Sequence, residues 1–167
     1  HGAEPHAARG CDARFSGGQF DSIAFSQSLD GGTTWSDPIK VNLTPDDVLA
    51  GNQQAFTPSV HVAADGTVGV TYYDFRNNTP SPATLPTDYF LVHCHPVNPV
   101  SCTDRDNWDD DEVRVTDSSF DMRLAPFALG FFTGDYEGLS SIGDVFTPFF
   151  SQSHGTDPSS TFFRTVG

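Results

Sequence analysis

Two short runs hold residue types suited to chemistry on a charged or hydroxylated substrate: Asp74-Phe75-Arg76 and Asp135-Tyr136-Glu137. Asp74 and Arg76 lie two apart, so a continuing strand puts both on one face. There a carboxylate can move a proton, and a guanidinium can clamp an anion through paired hydrogen bonds. The same spacing equally makes an internal Asp–Arg ion pair that steadies a loop. Tyr136 and Glu137 are neighbours and point to opposite faces of a strand, so they cannot form a dyad with each other. A third concentration is acidic: Asp104, Asp106, Asp109, Asp110, Asp111 and Glu112. Oxygen ligands at that density can hold Ca²⁺, with Asp104, Asp106 and Asp109 as the candidate ligands. The spacing is not that of an EF-hand, because Trp108 occupies the third ligand position and no glycine follows, so a solvated acidic loop competes with the metal reading. His61, His93 and His95 are scattered over strand-like segments and read as structural. Cys94 beside His95 lacks the second pair of ligands that zinc requires. No glycine-rich phosphate loop, nucleophile elbow or zinc-protease motif occurs.

Strands and turns must position these groups. The clearest turn is Ser28-Leu29-Asp30-Gly31-Gly32-Thr33-Thr34-Trp35. Asp30 can accept backbone N–H bonds, and the two glycines tolerate positive φ. Ser28 and Thr34 add short hydroxyls for local bonds, and Trp35 is a large apolar plug able to anchor the hairpin. Residues 22–27 before it and 37–42 after it have strand length and strand patterning. Val60 and Val62 alternate with Ser59 and His61. Ala64-Asp65-Gly66-Thr67 is a hairpin turn, and Val68 to Phe75 is the return strand. Tyr89–Cys94 and Glu112–Thr116 read as third and fourth strands. A further sheet is expected from Phe131–Leu139, Val145–Gln152 and Thr161–Val166.

Bulk properties agree with an all-β chain. Fifteen Gly and twelve Pro suit a loop-rich fold, and fifteen Phe supply core material. No window keeps a helical period over three turns, and none holds an apolar run long enough to span a membrane. The formal charge is −14 with one lysine, which argues against nucleic-acid binding. Cys94 and Cys102 bracket a short loop that a disulfide can close, implying an oxidising, secreted or extracellular setting; two unpaired thiols are the alternative. Cys11 is left without an assigned partner. Asn42-Leu43-Thr44 and Asn77-Asn78-Thr79 are glycosylation sequons, relevant in a eukaryotic source.

Cys102-Thr103-Asp104-Arg105-Asp106-Asn107-Trp108 looks like a decayed copy of the Ser28–Trp35 turn. The offsets from Ser28 to Cys102 and from Phe56 to Phe131 agree within one residue, which predicts an internal repeat of about 75 residues.

The pattern Ser28-x-Asp30-x-Gly32-x-Thr34-Trp35 resembles the Asp-box, or BNR repeat, of sialidase-like β-propellers. Val70-Thr71-Tyr72-Tyr73-Asp74-Phe75-Arg76 is similar to the inner strand end of such blades, and Gly134–Leu139 to a blade start. The resemblance covers roughly residues 20–152. It implies a single domain over residues 1–167 that is part of a propeller of antiparallel four-stranded blades. The blade end would be 22–43, a full blade 56–117 and a partial blade 131–166, about two and a half blades in all. A closed ring needs about 4–8 blades, so the remaining blades are expected from a longer chain or from other copies. The resemblance further implies glycoside hydrolysis of a glycan or glycoprotein at a central channel, with Asp74, Arg76, Asp135 and Tyr136 as the catalytic candidates. Ser28, Asp30, Gly32, Thr34 and Trp35 would be structural, far from that channel. Sialidase chemistry uses an arginine cluster, a Tyr nucleophile activated by a Glu, and a carboxylic acid. The family's Arg-Ile-Pro motif is absent, which leaves a non-catalytic glycan- or protein-binding propeller as the alternative. No cofactor is expected beyond the Ca²⁺ just considered.

Overall fold

The computed structural model describes residues 20–108 and 112–167. Cys11 and the acidic Asp109, Asp110 and Asp111 lie outside them. Among the described residues every regular element is a β-strand or a short 3-10 turn. Strand β1 (Ala24–Phe25) pairs antiparallel with β2 (Ile39–Lys40) across the Ser28–Trp35 turn. Strands β3 (Ala55–Val62), β4 (Val68–Asp74), β5 (Pro86–Cys94) and β6 (Glu112–Arg114) form an antiparallel meander, with β7 (Phe120–Asp121) bridging to the start of β5. Strands β8 (Gly138–Ile142), β9 (Val145–His154) and β10 (Asp157–Phe163) form a third antiparallel sheet. The three sheets do not close into a ring.

Burial follows position in the sheet. Strand β4 is buried along its whole length because β3 and β5 flank it and a sheet packs on each face. Period-two alternation divides its side chains between two cores. Val68, Val70 and Tyr72 join Ile23, Val41, Phe90, Val92 and Trp108 beneath the first sheet. Tyr73 joins Tyr89, Leu91, Val115, Phe146 and Phe150 against the third. Burying each such side chain stabilises by about 1.5–3 kcal/mol. The sheets therefore stack face to face in chain order, with the middle one shared. The first strands of the second and third sheets also meet: His61 Nε2 lies 3.0 Å from Ser141 Oγ, and in the turns that follow them Ala64 N–H donates to the Gly143 carbonyl at 3.3 Å.

Gly69 shows how close the second and third sheets come. A Cβ at this position would sit 2.6 Å from Phe146 Cε1, inside van der Waals contact. Gly69→Ala is therefore expected to destabilise by about 1–3 kcal/mol through overpacking. Phe146→Leu in the same chain should recover part of that loss in urea unfolding. An Ala variant as stable as the parent would mean that the two sheets do not pack this way.

Two expectations change. Phe131 does not begin the third sheet: it bridges only to Phe127, and β8 starts at Gly138. Gly134, at φ 131°, turns the chain before the strand can begin. The Phe56–Phe131 offset therefore joins a strand residue to a loop residue, whereas Cys102–Trp108 does lie between β5 and β6 as Ser28–Trp35 lies between β1 and β2. Nor is Trp35 the buried plug: it is 65% exposed, and Trp108 is fully buried instead. The first sheet has two strands, too few to cover the Trp35 ring.

Candidate functional site

The sheets have two distinct ends. At one, Val68 pairs with Val62 and Cys94; at the other, Asp74 pairs with Ala55 and Asp88. The Ser28–Trp35 turn lies at the first end, where it lines a cavity of about 890 Å³ with Val62, Gly66 and Pro96. Its chemistry is internal. Asp30 Oδ1 accepts from the N–H groups of Thr33 and Thr34 at 3.0 and 2.9 Å, and Oδ2 accepts from Thr34 Oγ1 at 2.7 Å. Ser28 Oγ donates to Asp30 Oδ1 at 2.8 Å and accepts from Gly32 N–H at 2.8 Å. The Thr34 N–H leads these partners in holding the Asp30 carboxyl down at about 2, followed by the Thr34 and Ser28 hydroxyls. Gly31 and Gly32 take φ of 74° and 90°, which an L side chain would resist. A carboxylate so fully engaged organises a turn; it does not receive a ligand.

The opposite end holds the charged groups. Asp74 is fully buried, and Arg76 Nε donates to its Oδ2 at 2.6 Å. The other face of the guanidinium grips Glu112, Nη1 to Oε2 at 2.5 Å and Nη2 to Oε1 at 2.9 Å. Thr44 Oγ1 donates to Asp74 Oδ2 at 2.7 Å, and the Tyr72 hydroxyl donates to Glu112. The guanidinium also stacks over Phe90, 3.7 Å from the ring centre. Two acids thus share one cation in a buried place. Burial pushes the Asp74 carboxyl up against the pull of Arg76. Burial also works against the Arg76 charge, but Glu112 and Asp74 outweigh it and hold the guanidinium firmly protonated. The Asp74–Arg76 pair therefore steadies the strand end and the Phe75 loop.

Asp88, one strand over, carries no local sequence signal, since strand register brings its partners in. Arg114 Nε donates to its Oδ1 at 2.9 Å, Thr116 Oγ1 to Oδ1 at 2.8 Å, and Asn77 Nδ2 to Oδ2 at 2.7 Å. Burial raises this carboxyl, and the combined donors more than reverse it, so it stays below the usual range. Of the two sequon asparagines, Asn42 is fully buried, with Oδ1 accepting from Ile23 N–H at 2.9 Å.

Tyr73 and Glu137 meet at the seam between the second and third sheets. The Tyr73 hydroxyl oxygen is 2.9 Å from Glu137 Oε1, 2.6 Å from the Ser151 carbonyl oxygen and 3.1 Å from the Ser151 nitrogen. Ser59 Oγ donates to the Glu137 carbonyl. Burial lifts the Glu137 carboxyl to about 7, against the Tyr73 and Ser151 hydrogen bonds. Nearby, β3 bulges between Phe56 and Ser59, and Thr57 sits at φ 49°. A β-branched residue there stores strain on the order of 1–3 kcal/mol. Asp135 and Tyr136, just before Glu137, are exposed, Tyr136 by 91%. Tyr136 and Asp135 therefore face solvent, while Asp74 and Arg76 are turned inward. No spacing rule links residue 73 to residue 137; only the stacking of two sheets does.

Cys94 and Cys102 are joined by a disulfide. Asp104 and Asp106 are exposed, with Asp106 N–H donating to Asp104 Oδ1 at 3.1 Å; Asp109 lies outside the described residues. Among the described residues no group of three His, Cys, Asp or Glu is placed to hold a metal, and no helix is long and apolar enough to cross a membrane. Compared with known proteins, the chain matches no protein-family model, no curated protein and no solved structure.

Proposed function

We propose that the three sheets are successive blades of an Asp-box β-propeller, and that the protein binds glycans or glycoproteins at the end of the blades away from the box. Face-to-face stacking in chain order supports the blade reading, as does the contact between β3 and β8, the first strands of their sheets. Val60 and Val62 remain 61% and 58% exposed beside the two-stranded first sheet. That apolar face is where the remaining blades pack, from the same polypeptide or from other copies. The Cys94–Cys102 disulfide suits a secreted or extracellular protein.

The observation that carries the binding reading is Tyr136, 91% exposed beside exposed Asp135. An open aromatic face stacks on sugar C–H groups, and a carboxylate accepts from sugar hydroxyls. Arg76, the arginine expected to meet a sialic acid carboxylate, is already held by Asp74 and Glu112. The platform therefore suits neutral sugars. On a glycan array the complete protein should retain neutral glycans, and Tyr136→Ala should weaken retention by roughly tenfold, about 1.4 kcal/mol. A blank array for the parent protein sinks the binding reading.

The second reading is sialidase-like glycoside hydrolysis, and Glu137 favours it. A carboxyl that keeps its proton up to about 7 has the property of a general acid. Turnover of fluorogenic sialosides or hexosides between about pH 4 and pH 8, lost in Glu137→Gln, would support it. No turnover of either substrate would exclude it.

A further inference from the structure

Glu137 sits where proton number decides whether the seam between two sheets is satisfied. The Tyr73 hydroxyl has one proton to give and two lone pairs to fill. With Glu137 neutral, the carboxyl donates to Tyr73, Tyr73 donates to the Ser151 carbonyl, and the Ser151 N–H donates to Tyr73, so every group has a partner. With Glu137 ionised, two protons remain, those of the Tyr73 hydroxyl and the Ser151 N–H, for three acceptors: the Tyr73 oxygen, the carboxylate and the Ser151 carbonyl. One of the three is then left short, next to a charge in a buried place. Tyr73 and Glu137 have 0% and 9% of their surface exposed, so water is a poor substitute. The titratable neighbours are Tyr73 on β4 and Tyr89 on β5, both held neutral by burial. His61 on β3 meets Ser141 instead, and Asp135 on Glu137's own segment is exposed.

We propose that Glu137 is a proton-dependent anchor: its neutral carboxyl clamps the segment before β8 to the seam between the second and third sheets, and ionisation loosens it. Asp135 and Tyr136 ride on that segment, so ligand capture there becomes pH-gated; this consequence alone rests on the glycan-binding reading. On the binding reading Glu137 acts as a positioning residue, through Tyr136, and makes no contact with the sugar.

The sign follows from the proton balance. The folded carboxyl titrates at about 7 against an ordinary 4.5, so the native state holds the extra proton between those values. Stability is full below the lower value and falls as pH rises through the upper one. Carboxyl ¹³C titration of the full chain should place the Glu137 midpoint near 7 instead of 4.5. After correction for intrinsic exchange, the Ser151 amide should exchange roughly tenfold faster at about pH 8.5 than at about pH 5.5. Glu137→Gln keeps a donor for Tyr73 and should abolish that change. A midpoint at the ordinary value, or the same pH dependence in Glu137→Gln, overturns the anchor. If the glutamine variant does not fold, the carboxyl titration of the parent decides. The two proposals separate cleanly: an array blank at every pH with a midpoint near 7 keeps the anchor and removes the glycan.

Discussion

Arg76→Met is expected to cost about 3–5 kcal/mol of folding stability, seen as a large fall in the urea midpoint with an unchanged slope. The cost comes from what stays behind. Asp74 has 0% and Glu112 12% of its side chain exposed, and both rely on the one guanidinium. Methionine fills the space over Phe90 but offers no donor, so two carboxylates remain unpaired in a place that water reaches poorly. Protons then become the remedy: Asp74, already pushed up by burial, should rise further, and the variant should lose less stability relative to the parent at acid pH. The triple variant Arg76→Met, Asp74→Asn, Glu112→Gln removes the charges together and should recover most of the loss. A substrate-binding role for Arg76 predicts the opposite: loss of ligand capture with stability nearly unchanged. A fall below about 1 kcal/mol in Arg76→Met would therefore return this arginine to the binding site.

Local signals were legible in the residues, and long-range partnerships were not. The Ser28–Trp35 turn, the Asp65-Gly66 turn and the strands around them follow from φ-permissive glycines, short hydroxyls and period-two alternation, which act within a few residues. The Cys94–Cys102 pairing lies at the same short range. The Asp74–Arg76 pair was also visible, because two residues on one strand face must meet; its third member, Glu112, was not, since a second strand brings it in. Tyr73 with Glu137 and Asp88 with Arg114 depend on sheet stacking and strand register. The exposed state of Trp35 is not legible in the sequence for a related reason. A large aromatic is usually buried, but burial requires a neighbouring sheet broad enough to cover it, and residue type carries no information on that.

The two tryptophans provide the sharpest test of that point. Trp108→Ala is expected to cost about 3–5 kcal/mol, while Trp35→Ala should stay within about 0.5 kcal/mol of the parent. Both residues end a turn of similar sequence between two strands, β1 and β2 for Trp35 and β5 and β6 for Trp108, so sequence similarity alone predicts equal effects. Their surroundings differ. Trp108 is fully buried in the first core, its ring 5.1 Å from Phe25, and Nε1–H donates to the Cys102 carbonyl at 3.0 Å. Truncation opens a cavity beneath the first sheet and strands a carbonyl beside the disulfide. Trp35 donates Nε1–H to the Gly32 carbonyl at 3.2 Å within its own turn and leaves most of its ring in water. Trp108→Phe is expected to cost less, about 1–3 kcal/mol, because it keeps an aromatic ring against Phe25 and loses the donor and part of the ring volume. Should Trp35→Ala prove as costly as Trp108→Ala in the complete protein, the Trp35 ring is covered there by a further sheet. Hydrogen exchange at Val60 and Val62, two further exposed residues of the cavity that Trp35 lines, would then show protection as well. The pair of variants thus reads out packing in the first core and the presence of an additional sheet on the open face at once.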